Sequence, residues 1–317
     1  MVWVRPCQEA CRIPLVFAAW CVSAPLFAQP TPSTHFQLGI GFGNESQTSP
    51  LFQISPESNI IYQDGVDRLS GSHMRTTVQG TAEWARSDGV MASLAADATV
   101  KRSPGTPGFD FGTFSLQPSV NLPLTGATVG VGLNLQGMDV AGQHFRDVAG
   151  IQGNWTRSDG EHLWGVVVDA SVYKHNSDLA DMDAVASSVV VLRQIRNPLP
   201  GISGLDFSGI VGREESARGL GELSNRSAML TFQIHWSGLG ADWTFGRSWR
   251  HAVFDDTAFP GEPPREDRTA MLDLAAELPL SADQSLRLEF NETKNTSSTR
   301  LYDNLYRQFS VTLRTSF

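Results

Sequence analysis

The residues of this chain that could do chemistry are its histidines, a set of charged side chains at alternating positions, and two acidic stretches. His73, His162, His175, His235 and His251 fall at no spacing that would gather them on one metal ion, because zinc sites draw ligands from short, regular intervals. A hydrolase would need a histidine beside a serine at one depth, with a polar group orienting it. His235 is expected to point into a polar interior, but no serine is distinguished as its nucleophile. The glycines from Gly126 to Gly132 precede no helix, so they are not a phosphate loop. No catalytic, cofactor-binding or metal residue is therefore assigned, and the chain is read as a non-enzyme that takes no cofactor and no nucleic acid.

The charged set is mixed in sign. Arg75, Lys101, Arg287 and Arg314 stand against Glu83, Asp97, Asp169, Asp273, Glu277 and Glu289, and all are expected to face the same interior as His235. Such ladders could line an aqueous pore or lock it shut, and a modest acidic excess would favour cations if the pore conducts. The acidic stretches are His175 to Asp183, with Asp178 and Asp181, and Asp255-Asp256 to Asp267. They could hold divalent ions beside lipopolysaccharide, although a solvated charged loop is the simpler reading.

The elements that must position these residues repeat with a period of two. Phe309, Val311, Leu313 and Phe317 oppose Gln308, Ser310, Thr312, Arg314 and Ser316. Leu286, Leu288 and Phe290 oppose Arg287, Glu289 and Asn291, and Ala228, Leu230, Phe232, Ile234 and Trp236 oppose Thr231, Gln233 and His235. Alternation of this kind makes strands with one apolar and one polar face. The expected strands are 34–44, 73–86, 90–101, 112–122, 127–138, 146–157, 162–174, 183–196, 205–213, 226–237, 241–253, 268–279, 285–296 and 305–317. Most run about nine to fourteen residues, which suits tilted strands crossing a bilayer. The fold class is thus an all-β transmembrane antiparallel barrel of about fourteen strands.

Connections after even strands read as tight, among them Ser87-Asp88-Gly89, Leu122 to Gly126, Asn197 to Gly204 and Gly238-Leu239-Gly240. Those after odd strands read as mostly longer and acidic, notably 45–72, 175–182, 214–225 and 254–267. Short on one side and long on the other is the topology of a bacterial outer-membrane barrel, with short turns and both termini in the periplasm. Trp84, Trp155, Trp164, Trp236 and Trp243 all lie within a few residues of a short turn, the place for a periplasmic aromatic girdle.

The first residues carry an export signal. Arg5 and Arg12 precede an apolar stretch from Ile13 to Ala28, and Leu26-Phe27-Ala28 meets Gln29-Pro30, so residues 1–28 read as a cleaved signal peptide and 29–317 as the barrel. All three cysteines, Cys7, Cys11 and Cys21, lie in that segment, which leaves no disulfide to the mature chain. No run of eighteen apolar residues follows, so no helix could span a bilayer. A net charge of −9 with only 18% charged residues suits either a soluble all-β domain or a barrel; strand length favours the barrel.

Ser310 and Phe317 match part of the C-terminal signal of outer-membrane barrels, which implies recognition by the barrel-assembly machinery. Phe259, Arg265-Glu266-Asp267, Asn295-Thr296-Ser297, Leu301-Tyr302, Tyr306-Arg307 and Phe317, with Gly39, Gly41 and Asn44-Glu45-Ser46 near the start, resemble the C-terminal barrel of the surface lipoprotein assembly modifier family. That resemblance implies a barrel of about fourteen strands that helps move lipoproteins or secreted proteins to the cell surface. Its members carry a periplasmic tetratricopeptide domain, which is missing here, so a separate protein would have to supply it. The expected function is a conduit for protein or lipoprotein export, with a channel for small solutes as the alternative and an outer-membrane hydrolase behind both. The expected partners are outer-membrane lipids and lipopolysaccharide, the assembly machinery, and an exported lipoprotein or tetratricopeptide protein.

Overall fold

The computed structural model describes residues 32–54, 60–105, 110–257 and 263–317. The expected signal peptide and Phe259 lie outside them. Fourteen strands form one closed antiparallel barrel. In chain order they are β1 (Ser33–Ile54), β2 (Ile60–Ala85), β3 (Met91–Arg102), β4 (Phe111–Leu124), β5 (Ala127–Val140), β6 (Gln143–Ser158) and β7 (His162–His175). Then follow β8 (Ala184–Leu199), β9 (Ile202–Ser216), β10 (Asn225–Gly238), β11 (Ala241–Phe254), β12 (Glu266–Pro279), β13 (Gln284–Ser297) and β14 (Asn304–Ser316). Each strand pairs with its sequence neighbours, and β1 pairs with β14 to close the ring. Closure pairs every strand on both sides within the wall and leaves no open edge there.

The alternation decides which way each side chain faces. On β14, Phe309 and Leu313 are exposed while Ser310 and Thr312 are buried. The same division runs round the ring, with Val129, Val131, Leu133 and Leu135 outward on β5 and Val185, Val189 and Val191 outward on β8. Leu230 is 65% exposed and Val211 58%, so the outer face is apolar and uncovered. The inner face holds the buried polar side chains, among them Glu45, Lys101, Ser171, Ser248 and Thr312. Arg247 is an exception: it faces outward opposite Phe232 and Leu272, with its guanidinium 5.6 Å from the Trp249 ring.

Connections differ between the two ends. After even strands they are 86–90, Thr125-Gly126, 159–161, Pro200-Gly201, Leu239-Gly240 and 280–283; after odd strands, 103–110, 176–183, 217–224, 255–265 and 298–303 are longer. Leu239 and Gly240 both have positive φ, 58° and 76°, the backbone of a two-residue hairpin turn whose twist matches its strands. The even strand number brings both ends of the described chain to one end of the barrel, where the Phe317 amide donates to the Phe36 carbonyl at 2.9 Å.

Several boundaries depart from expectation. Residues 45–72 are not an open connection, since β1 and β2 stay paired from Glu45↔Gly71 to Ile54↔Ile60. β14 leaves β1 at Thr48 and β3 leaves β2 at Met74, so this hairpin runs on past its neighbours. A hairpin beyond the wall needs no apolar face, and the polar run Glu45-Ser46-Gln47-Thr48-Ser49 hides its strand character from periodicity. The turn expected over Asn197 to Gly204 shrinks to Pro200-Gly201 because β8 continues to Leu199. A bulge between Arg196 and Leu199, with Asn197 at φ 49°, lets Pro198 sit outside the ladder. β5 and β6 are joined by the tight turn Ala141-Gly142, which removes the longer connection expected after the fifth strand.

Candidate functional site

The inner wall of the barrel is where polar and charged side chains converge. On β12–β14 four of them form a single network. Glu277 Oε2 accepts from Arg287 Nη1 at 3.3 Å and from Arg314 Nη1 at 3.0 Å, while Ser285 donates to the other oxygen of Glu277. Arg287 Nε donates onward to Glu289 Oε1 at 2.6 Å, and Ser310 Oγ to Glu289 Oε2 at 3.4 Å. The offset of one strand against the next makes this possible: Glu277 stands directly opposite Arg287, and Arg314 reaches it across the intervening strand. Asp273 lies opposite Gly246 and Asn291, outside the network. Arg75 lies opposite Gly41 and Lys101, and its Nε is buried without a hydrogen-bond partner.

A second cluster clasps the seam where the last strand meets the first. Glu45 on β1, its side chain fully buried, is paired with Lys101 Nζ on β3 at 2.6 Å. The Glu45 carboxylate also accepts from Tyr306 Oη at 2.8 Å and Ser103 Oγ at 3.0 Å. His73 on β2 stands 3.9 Å from the same carboxylate and 3.2 Å from Gln308 Nε2 on β14. Gly43 gives the imidazole its room, because a Cβ there would meet His73 Cε1 at 2.7 Å. Sequence reading places Lys101 on the inner face; it names His73 among scattered histidines and Glu45 and Tyr306 within the assembly-modifier resemblance, and assigns none of the three to the interior. The signal was present in Gly39, Gly41, Gly43 and Glu45, which share one face of β1.

Elsewhere on the inner wall, carboxylates meet hydroxyls. Asp97 accepts from Ser115, and Asp169 accepts from Ser188 Oγ at 2.5 Å and Ser171 Oγ at 3.3 Å. Glu83 is exposed opposite Ser33 and Ser93 at the short-turn end. His235 is held between Asp206 Oδ2, 2.9 Å from Nε2, and Thr244 Oγ1, 3.3 Å from Nδ1. These three come from β9, β10 and β11, and neither partner of the histidine had been singled out. The arrangement orients an imidazole, and Thr244 and His235 both lie within paired strands, with a bulge in the β9–β10 ladder just after His235.

Outside, Trp155, Trp164, Trp236 and Trp243 are each a little over a third exposed near short connections. Trp84 pairs with Ala92 beside the 86–90 turn. Trp236 and Trp243 stack at 6.0 Å, and the Arg193 guanidinium lies 4.5 Å over Trp164. Phe317 is 75% exposed, and Ser310 is buried on the inner face.

Several carboxylates of the acidic stretches are paired with cations of the chain itself. Asp183 accepts from the His175 amide at 2.7 Å and Lys174 Nζ at 2.9 Å, which holds its carboxyl below the usual carboxylate range. Asp181 pairs with Arg218, and Asp255 with Arg213 at 3.2 Å and Arg226 at 3.6 Å. Among the described residues no three acidic or histidine side chains converge as a metal site. Arg265 is sandwiched between the rings of Phe254, 3.5 Å away, and Tyr302, 3.8 Å away, and pairs with Asp267 at 3.5 Å. Residues of the assembly-modifier resemblance thus knit the connections 255–265 and 298–303 together.

No family model and no curated protein matches the chain. Among solved structures it is similar to Pseudomonas aeruginosa OccK9 (OpdG), at 8% identity over 90% of this chain and 99% of that one, with a TM-score of 0.49. A Pseudomonas aeruginosa FadL homologue is similar at 8% identity over 90% of each chain, also with a TM-score of 0.49. An anion-selective porin from Comamonas acidovorans is similar at 10% identity over 90% of this chain and 100% of that one, with a TM-score of 0.44. The barrel fold rests on the strand pairing of this chain itself. The resemblance to surface lipoprotein assembly modifiers rests on the short motifs named above.

Proposed function

We propose that this protein is an outer-membrane channel for small polar solutes in a Gram-negative bacterium. The observation that carries the reading is the division of faces: an exposed apolar outer surface all round the ring, and an inner wall of carboxylates, guanidiniums, hydroxyls and amides. Lipid is the solvent that such an outer face fits, and a polar lumen is what a water-filled pathway needs. The five tryptophans near the short turns support an orientation with those turns and both chain ends in the periplasm, and the longer charged connections outside beside lipopolysaccharide. Ser310 and Phe317 would serve recognition by the barrel-assembly machinery, after export directed by residues 1–28.

Export of a protein or lipoprotein, the role implied by the assembly-modifier resemblance, has no specific feature of the inner wall in its favour. The Glu277–Arg287–Glu289–Arg314 network and the Glu45 clasp fix side chains against the wall, which suits a rigid pore.

Planar-bilayer recording of the purified, folded barrel tests the channel. Stepwise conductance in potassium chloride is expected, with mild cation preference. Silent bilayers, with heat-modifiable migration on gels confirming a folded barrel, would overturn the proposal. Protease-sensitive display of a lipoprotein that vanishes with this gene would then favour export.

A further inference from the structure

The inner wall of β3–β6 is indented by a recess of about 310 Å3, lined by Asp97, Thr113, Ser115, Gln117, Gln136 and Arg146 among others. A second recess of about 320 Å3 adjoins it and shares Asp97, Ser115 and Gln117. Each is large enough for a small metabolite. Register sets Asp97, Ser115, Gln136 and Val148 in one row across four strands, with Arg146 two residues along from Val148. Three strand spacings are about 14 Å. Asp97 and Arg146 thus border one recess from different strands.

The two charges in this recess are not used up by the protein. Asp97 accepts from the Ser115 hydroxyl and pairs with no cation among the described residues. Arg146 lies with its guanidinium 5.0 Å from the Tyr173 ring, its Nε is buried without a hydrogen-bond partner, and it is in no ion pair among the described residues. Both groups are half-buried on the inner wall, and neither has an opposite charge beside it among the described residues. One carboxylate and one guanidinium on a wall of amides and hydroxyls complement a solute with one charge of each sign.

We propose that this recess binds small zwitterions of the α-amino acid type, the ammonium on Asp97 and the carboxylate on Arg146, with Gln117 and Gln136 contacting the remainder. A simple carboxylate would satisfy Arg146 and meet repulsion at Asp97; a simple amine would do the reverse. A sugar would hydrogen-bond the amides and leave both charges unneutralised. The inference rests on the channel reading, since a lumen site meets solute only when the lumen is open.

The test uses alanine, lactate and isopropylamine, three molecules on a three-carbon skeleton that carry both charges, the negative alone and the positive alone. Saturation-transfer NMR on the folded barrel in detergent is expected to detect alanine at least tenfold more tightly bound than either half-ligand or glucose. Asp97→Asn and Arg146→Gln should each remove the alanine signal. Asp97→Glu and Arg146→Lys, which keep the charges, should retain part of it, and heat-modifiable migration confirms folding. Absence of alanine binding, equal binding of lactate or glucose, or alanine binding unchanged in Asp97→Asn would each overturn the proposal. Conductance measured on the same preparation shows which reading failed: a conducting barrel without alanine binding loses only the site, whereas a silent one loses the channel as well.

Discussion

On β12–β14, Glu277, Arg287, Glu289 and Arg314 are all tied to side chains of opposite sign, whereas Asp97 and Arg146 share the β3–β6 recess without an ion partner among the described residues. The first wall neutralises its own field and fixes its long side chains, so it behaves as structure. The second keeps a separated pair of charges whose field extends into the lumen, where a permeating solute would meet it. The Glu45–Lys101 clasp belongs with the first kind and is its most buried instance. Burial and pairing together, rather than charge count, separate the residues that hold the barrel from those that can act on a solute.

The comparison breaks most visibly at Glu45. Glu45→Ala removes the acceptor of Lys101, Ser103 and Tyr306 at once and breaks a buried ion pair from one side, a change expected to cost about 3–5 kcal/mol. Urea unfolding from lipid vesicles, followed by tryptophan fluorescence, measures it. Replacing both partners, Glu45→Gln with Lys101→Met, should recover much of that loss. A single variant as stable as the parent would show the clasp to be incidental.

Glu277→Gln tests the exposed version of the same arrangement. Its pairs with Arg287 and Arg314 are about a quarter solvent-exposed, so screening reduces the expected stability loss to roughly 1 kcal/mol. Selectivity should respond more clearly, because two guanidiniums lose their shared counter-charge. The reversal potential in a potassium chloride gradient is expected to move toward anions, and an unmoved potential would place this network off the ion path. Asp97→Asn should move the potential in the same direction while changing stability by no more than about 0.5 kcal/mol. A stability loss comparable to that of Glu45→Ala would put Asp97 among the structural carboxylates and erase the contrast.

How much of this was legible in the sequence follows from what a period of two can and cannot say. Strand existence came through wherever one face meets an apolar surroundings, as on β10 or β14, and faded where both faces meet water, as over Glu45 to Ser49. Which residues share a face follows from spacing within one strand, so Arg287 and Glu289 are recognisably neighbours from sequence alone. Partners on other strands depend on register, and register is set by turns and bulges that single residues control. The Asp206–His235–Thr244 set joins three strands, and the bulge between His235 and Trp236 shifts one of those pairings. The seam pairs residues more than two hundred positions apart, such as His73 with Gln308, and no local pattern announces them.

Pairing also reaches the long connections, and there its effect is the smallest and the most pH-dependent. The Asp183 carboxyl is held below its usual range, first by the His175 amide and then by Lys174 Nζ. A carboxyl depressed in the folded state contributes stability above the pKa of the unfolded chain, near 3.9. It loses that contribution as the pH falls through the lower folded value. Hydrogen exchange, corrected for intrinsic rates, should therefore show the His175 amide equally protected at pH 7 and pH 5, with protection falling several-fold toward about pH 2.5. Asp183→Asn should show weaker protection at pH 7 and almost no further change on acidification, because the group that titrates is gone. A parent protein whose His175 protection ignores pH, or a variant that still follows it, would mean that the 176–183 connection is held by the cap of its 3-10 turn (Asn176 accepting from the Leu179 amide) and not by the charge on Asp183.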